Sequence, residues 1–375
     1  MNKNTTFQKL IQNFLSEAEL ESILKEFAFE DTARKCAISV LLSYLTGAAV
    51  NGWKGFRHSA DVGPSTGLVS LNHSSLSKKI AALDYAIMKR IFEVISGKLN
   101  RAARRRLKIP KSLLSIDSTT ITVGKTRLPW ALYHGERAGI KLHVSFTNET
   151  AMPLQVVETT GLKNDGPIGK QLEDKRFILV GDRAYFSIEK VDRYVCDKQD
   201  FVFRLKDNIQ LNRKKSLKGS RAADSNVTAD FTCTLGTPQK QTKERHRVVQ
   251  FTDYEGKEIS VVTNLRNVTA KEIADMYKSR WAIETFFRWI KQSLNVPTLF
   301  GTTENAVFNQ LFAALTAYVI LKWLHVNGGK QPYCKALSFV EFKRLLLCHA
   351  LPIEWRIGLT EAVDRYRRIY EAGFS

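Results

Sequence analysis

Three acidic residues stand where their chemistry is conspicuous. Asp117 lies inside the apolar run LLSIDSTTITV at 113–123. Aspartate is depleted in strands, and a carboxylate buried there must find a cation or give up its charge. Asp182 follows the apolar residues Phe177 to Val180 and then Gly181. That places it at the end of a buried strand, where α/β sheets build their sites, although an ordinary turn aspartate could stand there too. Glu284 belongs to YKSRWAIETFFRWIKQSL, residues 277–294. At roughly 100° per residue, Arg280, Glu284 and Lys291 fall at about −60°, −20° and −40° from Tyr277, on one arc of a helix. Ile283, Phe286, Trp289 and Ile290 take the opposite side and would anchor it. A solvated face pairing Arg280 with Glu284 at i,i+4 fits the same spacing.

Carboxylates from two strands and a later helix could converge on two metal ions. Carboxylate oxygens suit Mg²⁺ or Mn²⁺. Two such ions about 3.5–4 Å apart activate a water or a 3′-hydroxyl and stabilise the leaving oxygen in an in-line attack on phosphorus. Asp165, Glu173, Asp174 and Asp192 fall in helical or loop segments with a solvated pattern, and Glu136 in the hairpin turn YHGERAG. These five rank below the three.

The elements that must position the acids follow from periodicity. Residues 7–100 have helical spacing, interrupted by the polar loop NGWKGFRHSADVGPSTG. A helix-turn-helix or a plain helical bundle fits equally. The run KLNRAARRRLKIPK at 98–111 reads as a basic linker. From 112 the period changes to that of strands: LLSIDSTTITV, IKLHVSFT and PLQVVETT, a short helix around 165–173, the strand RFILVGD, a helix over 187–198 and the strand DFVFRLK. That order implies a mixed sheet covered by helices. Residues 207–260 break the pattern and read as a β-rich insertion, before the strand EISVVTNL and a helix starting near Thr269. The chain is helical again after 303 and ends in a basic amphipathic helix.

Composition narrows the partners. The 375 residues carry 57 Lys and Arg against 37 Asp and Glu, a formal charge of +20. Such an excess calls for a polyanion. It concentrates in 98–111 and in RLKDNIQLNRKKSLKGSR at 204–221, where Arg213, Lys214, Lys215 and Lys218 are candidates for DNA contact. The five cysteines form no CxxC pair, which points to a reduced, cytoplasmic protein without structural zinc. The N-terminus lacks the continuous apolar core of a signal peptide. The apolar stretch AVFNQLFAALTAYVILKWLHV at 306–326 is interrupted by Asn309, Gln310 and Lys322 and reads as a buried helix, with no membrane partner.

Asp in the first strand, Asp after the fourth, and Y-x2-R-x3-E-x6-K on a later helix resemble the DDE transposases of bacterial insertion sequences. The Y-R-E-K signature is that of insertion-sequence family four. The likeness covers about 112–326 and includes SIDSTTITV, ALYHGERAGIKLH, VGDRAYFS and YKSRWAIETFFRWIK. It implies a ribonuclease-H-like core at 106–330 with an insertion at 207–260, a helical DNA-binding region at 1–105 and a helical region at 331–375. It also implies Mg²⁺-dependent cut-and-paste transposition, with Asp117, Asp182 and Glu284 as metal ligands and Tyr277, Arg280 and Lys291 on the phosphates of the element's end. The implied partners are the inverted-repeat ends and target DNA, a second copy of the chain in the synaptic complex, and the bacterial nucleoid while DNA is bound. Members that cut through a DNA hairpin hold a flipped base on an aromatic residue of the insertion, often tryptophan. This chain has no Trp between Trp130 and Trp281, so Phe231, Phe251 or Tyr254 would serve. A DNA-binding regulator without chemistry and a junction nuclease on the same core are the competing readings.

Overall fold

The computed structural model describes residues 7–107, 111–217, 226–293, 298–330 and 334–371. The chain divides into two compact units. One comprises Met1–Leu107, Ile121–Ala138 and Phe287–Ser375; the other comprises Lys108–Thr120 and Gly139–Phe286.

The N-terminal third consists of α1 (Phe7–Ile11), α2 (Glu17–Glu26), α3 (Ile38–Asn51), α4 (Phe56–Val62), α5 (His73–Ala82) and α6 (Tyr85–Leu107). Local chemistry starts several of them. Ser16 and Glu19 form a capping box on α2, and the Asn72 side chain accepts the Ser74 N–H to open α5. The basic run expected to be a linker is helical as far as Leu107. Its alanines and arginines are good helix formers, and Leu99 and Ala103 are buried in the bundle.

Next come β1 (Leu113–Gly124), β2 (Arg137–Thr147), β3 (Met152–Thr160), α7 (Asp165–Gly169), β4 (Ile178–Gly181), α8 (Ile188–Cys196) and β5 (Phe201–Arg204). After them the chain adds β6 (Leu211–Ser216), β7 (Val227–Thr237), β8 (Lys240–Gln241), β9 (His246–Thr252), β10 (Glu258–Thr263), α9 (Ala270–Ser279) and α10 (Trp281–Ser293). The sheet order is β3-β2-β1-β4-β5-β10-β9-β7-β6, with β8 paired to β7. β4 runs parallel to both β1 and β5, whereas β10 is antiparallel to β5 and to β9. The first five strands form the ribonuclease-H-like mixed sheet, and the strands of 207–260 continue it edgewise.

Alternation along the central strands sends side chains to two cores. Leu179, Phe201 and Phe203 pack with Val191 and Tyr194 of α8. Ile178, Val180 and Val202 pack with Ile273, Ala274 and Tyr277 of α9. The expected single helix through Tyr277 and Lys291 is broken at Arg280. The Arg280 N–H bonds back to Tyr277 O at 3.1 Å, and the Ile283 N–H to Arg280 O at 3.0 Å, each only three residues back. The break has a packing cause. α9 buries its face against β4, β5 and β9, whereas Phe286 of α10 packs on Phe146 of β2, ring centroids 5.2 Å apart.

The first unit closes with α11 (Glu304–Gly328), α12 (Phe339–Leu347) and α13 (Ile353–Glu371). The apolar window of α11 is 94% buried, packed among α3, α5, α6 and α13. It is the core helix of a bundle.

Candidate active site

Asp117, Asp182, Tyr277, Arg280 and Glu284 all lie in the second unit. Asp117 projects from β1, and its Oδ1 accepts the N–H of Ser118 at 2.8 Å. Asp182 follows β4 directly. Gly181 is required there, because a Cβ on it would fall 2.5 Å from the Phe203 ring. Tyr277 donates its hydroxyl to Asp182 Oδ1 at 3.3 Å, and Arg204 Nη1 lies 3.9 Å from the same oxygen. Glu284 sits in the first turn of α10. A relay fixes the junction of α9 and α10 against β1: Ser115 donates to Asn148, and Asn148 to Ser279, each at 2.7 Å.

Arg280, at the helix junction, spans two of the acids. Its Nη1 donates to Asp117 Oδ2 at 2.9 Å and its Nη2 to Glu284 Oε1 at 2.5 Å. The guanidinium lies over the Tyr277 ring, 5.7 Å from its centroid. Burial pushes the Asp117 carboxyl up to about 6, aided by the charges of Glu284 and Asp182 and opposed by Arg280 and the Ser118 N–H. Burial also disfavours charge on Arg280, but Tyr277, Asp117 and Glu284 outweigh it and hold the guanidinium above its usual range.

The structure therefore brings Asp117, Asp182, Tyr277, Arg280 and Glu284 together. Tyr277 is only 5% exposed, with its hydroxyl on Asp182. Lys291 lies seven residues beyond Glu284 on α10, in the first unit, and burial lowers its affinity for the proton. Arg213, Lys214 and Lys215 are exposed on the edge strand β6, and Lys218 lies outside the described residues. Of the aromatic candidates, Phe231 and Phe251 are buried in the sheet's cores, while Tyr254 is 95% exposed at the β9–β10 turn.

Sequence reasoning missed a layer behind Asp117. Asp165, ranked low as solvated, accepts the Ser118 hydroxyl at 2.7 Å and lies 3.5 Å from Lys141 Nζ and 3.3 Å from His143 Nδ1. Burial opposes ionisation of Asp165, but His143, Ser118 and Lys141 together hold its pKa down at about 2. The signal was present in β2, where Lys141 and His143 share one face at i,i+2. Arg204, the last residue of β5, and Lys206, just after it, also went unnoticed. Lys206 lines an open recess of about 510 Å³ with Asp182, Arg183, Ala184, Asp207 and Asn208.

The donor set is all carboxylate oxygen, which suits Mg²⁺ or Mn²⁺. The three acids also interact electrostatically, and the raised Asp117 pKa marks a place where added positive charge would be stabilising. Among the described residues no three Asp, Glu, His or Cys stand close enough to grip one ion as they are. The cation now between Asp117 and Glu284 is the Arg280 guanidinium.

The burial of Asp117 has a consequence for stability. With a folded-state pKa near 6 against an ordinary 3.8, the folded chain holds this proton more tightly than the unfolded chain. The contribution is present below about pH 4 and is lost as pH rises through 6. Asp117→Asn removes the ionisation and is expected to stabilise the metal-free protein at pH 8 by up to about 3 kcal/mol. The gain should vanish at pH 4. Thermal melts at the two pH values test it, and a gain of equal size at both would show that ionised Asp117 is not its source.

The second unit is thus a mixed sheet with acids on β1, after β4 and on a helix following the last strand. The chain belongs to the Transposase DDE domain family, which it matches over residues 108–320. It is 52% identical over 370 residues to a probable transposase for insertion sequence element IS5377 of Geobacillus stearothermophilus, covering 99% of this chain and 98% of that protein. It is 33% identical to the putative transposase y4zB of Sinorhizobium fredii, over 63% of this chain and 67% of that one. A putative transposase for insertion sequence element IS4SA of Synechocystis is 25% identical over 75% of this chain and 80% of that one. A solved piggyBac transposase synaptic complex with hairpin DNA aligns with 96% of this chain and 83% of that one, at 14% identity and a TM-score of 0.46.

Proposed function

We propose that this DDE transposase cuts the ends of its insertion sequence and joins them to target DNA using Asp117, Asp182 and Glu284 as ligands for divalent cations, Mg²⁺ or Mn²⁺. The observation that carries the reading is the approach of three acids distant in sequence: Arg280 joins Asp117 to Glu284, and the charge of Asp182 acts on Asp117. When bound, such ions activate the attacking hydroxyl and stabilise the leaving oxygen at phosphorus. The protein's own groups hold the acids in place. Ser118, backed by Asp165, fixes Asp117; Tyr277 and Arg204 orient Asp182; α10 carries Glu284. Arg183 and Lys206, beside Asp182, supply positive charge for the strand being cut. Tyr254 is the aromatic of the insertion able to stack on a base. Two copies of the chain hold the two ends in the bacterial cytoplasm. The test is incubation of the purified protein and Mg²⁺ with DNA carrying the element's own ends. Binding without nicking at the ends would defeat the catalytic reading.

The N-terminal region is proposed to recognise the end. Support comes from a recess of about 420 Å³ lined by Lys54, Arg57, His58 and His73 with Gly55, Phe56 and Ser77, and by no acid. His58 Nδ1 accepts the Lys54 N–H at 3.2 Å, which leaves its Nε2 to donate. Phosphate contacts release counterions, and each flattens the salt dependence of binding by about 0.9 when lost. Lys54→Gln with Arg57→Gln is expected to reduce the slope of log K against log salt by about 2. Neutralising Arg213, Lys214 and Lys215 together is expected to reduce it by about 3. An unchanged slope moves that patch off the DNA.

A further inference from the structure

We infer that Arg280 is a resident counter-ion that makes metal loading depend on DNA. The inference rests on the reading that Asp117 and Glu284 are metal ligands. In the free protein, one guanidinium ties these two acids together across 163 and 4 residues of sequence. Its side chain is 12% exposed, while those of Asp117 and Glu284 are 22% and 31% exposed. Two partly buried carboxylates of like charge need a cation between them. The guanidinium already takes Asp117 Oδ2 and Glu284 Oε1, so a divalent ion that used these two acids would meet its charge and its hydrogen bonds there. They therefore compete.

The arginine is not ideally housed. Its Nε is buried without a hydrogen-bond acceptor, although guanidinium presents five donors. A buried donor left unmade is a cost that a second position could relieve. Arg280 has ordinary helical backbone angles at the α9–α10 junction, φ −53° and ψ −28°, so no backbone strain fixes its side chain on the acids. A DNA phosphate is the acceptor that suits it, since guanidinium pairs with phosphate in the bidentate manner it uses for carboxylate. When the phosphate arrives, the guanidinium leaves the acids, and they become free for metal. The coupling is reciprocal: metal on the acids releases Arg280 to bind DNA. Without DNA, the acids are occupied, and metal-dependent chemistry on water or stray hydroxyls is held back.

The experiment measures Mn²⁺ binding by electron paramagnetic resonance, with and without a short duplex of arbitrary sequence. In the absence of DNA, Arg280→Gln is expected to bind Mn²⁺ roughly 10- to 100-fold more tightly than wild type, the range set by removing charged hydrogen bonds. Arg280→Lys, which keeps a charge but cannot fork between two acids, should fall between them. The duplex should tighten Mn²⁺ binding to wild type and leave Arg280→Gln nearly unchanged. Thermal melts of both variants establish that they fold. Equal Mn²⁺ affinity for wild type and Arg280→Gln, with Asp117→Asn weakening both, overturns the role of Arg280 and leaves the acids as ligands. If Arg280→Gln with Asp117→Asn binds as well as Arg280→Gln alone, the metal lies elsewhere, and both readings fall.

Discussion

Asp117→Ala, Asp182→Ala and Glu284→Ala are each expected to lose DNA strand cleavage by on the order of 1,000-fold or more, with binding of end DNA largely intact. The loss corresponds to several kcal/mol of transition-state stabilisation, the scale on which a metal-ion catalyst acts at phosphorus. Binding should survive because the positive charge of the chain lies elsewhere: at Lys54 and Arg57, along β6, and at Arg183 and Lys206. Arg280→Ala and Lys291→Ala should behave differently, cutting more slowly on every end sequence while keeping the metal requirement. Phosphate contacts position a strand without reading it, and an error of about 1 Å costs on the order of 100-fold in rate. The decisive data are cleavage rates against Mg²⁺ concentration. An alanine variant at any of the three acids that cuts at near wild-type rate at saturating Mg²⁺ is not missing a ligand.

Breaking the buried ion pair inside the added strands should destabilise the protein strongly. Arg247 grips Asp230 with two parallel bonds of 2.9 and 2.7 Å, and the two side chains are 3% and 0% exposed. The third nitrogen of Arg247 donates to the carbonyls of Leu265 and Val268, at 3.2 and 2.7 Å. These carbonyls lie just before Thr269, which caps α9. One residue thus ties β7 and β9 to the start of the helix that carries Tyr277. Removing one partner strands a buried charge, at a cost of about 3–5 kcal/mol. Asp230→Leu and Arg247→Met should each lower the melting temperature by on the order of 10 °C. The pair Asp230→Leu with Arg247→Met should lose clearly less than the sum of the two singles, since no charge remains unpaired. Chemical denaturation of the four proteins supplies the cycle. Single losses below about 1 kcal/mol, the level of an exposed pair, would contradict the assigned burial.

The order of elements was legible because each signal is local. Alternation in LLSIDSTTITV and the apolar run before Asp182 mark strands within a few residues. Thr269 and Glu272 announce the start of α9, and they form its capping box. Asp117 was conspicuous for the same reason, since an aspartate within an apolar strand needs a partner wherever that strand packs, and Arg280 is that partner. The family match over 108–320 agrees with the span those motifs occupy.

Local signals also misled where the outcome depended on a distant partner. The helical spacing of Tyr277, Arg280, Glu284 and Lys291 held only within each helix, because α9 packs on β4, β5 and β9 while α10 turns to β2. Asp165 has the composition of a solvated turn, yet Ser118, 47 residues earlier in the chain, donates to it. Phe231 and Phe251 have the appearance of available aromatics, but the added strands continue the central sheet and bury both. By itself the sequence determined which residues could carry charge into an apolar setting and which segments would be strands or helices, because propensity, capping and periodicity act over a turn or a strand. Only the tertiary structure decided that Arg280 sits between Asp117 and Glu284 and that Tyr277 holds Asp182. Those contacts join side chains from β1, the end of β4 and the α9–α10 junction, and their distances depend on strand register and helix placement, which no local pattern encodes.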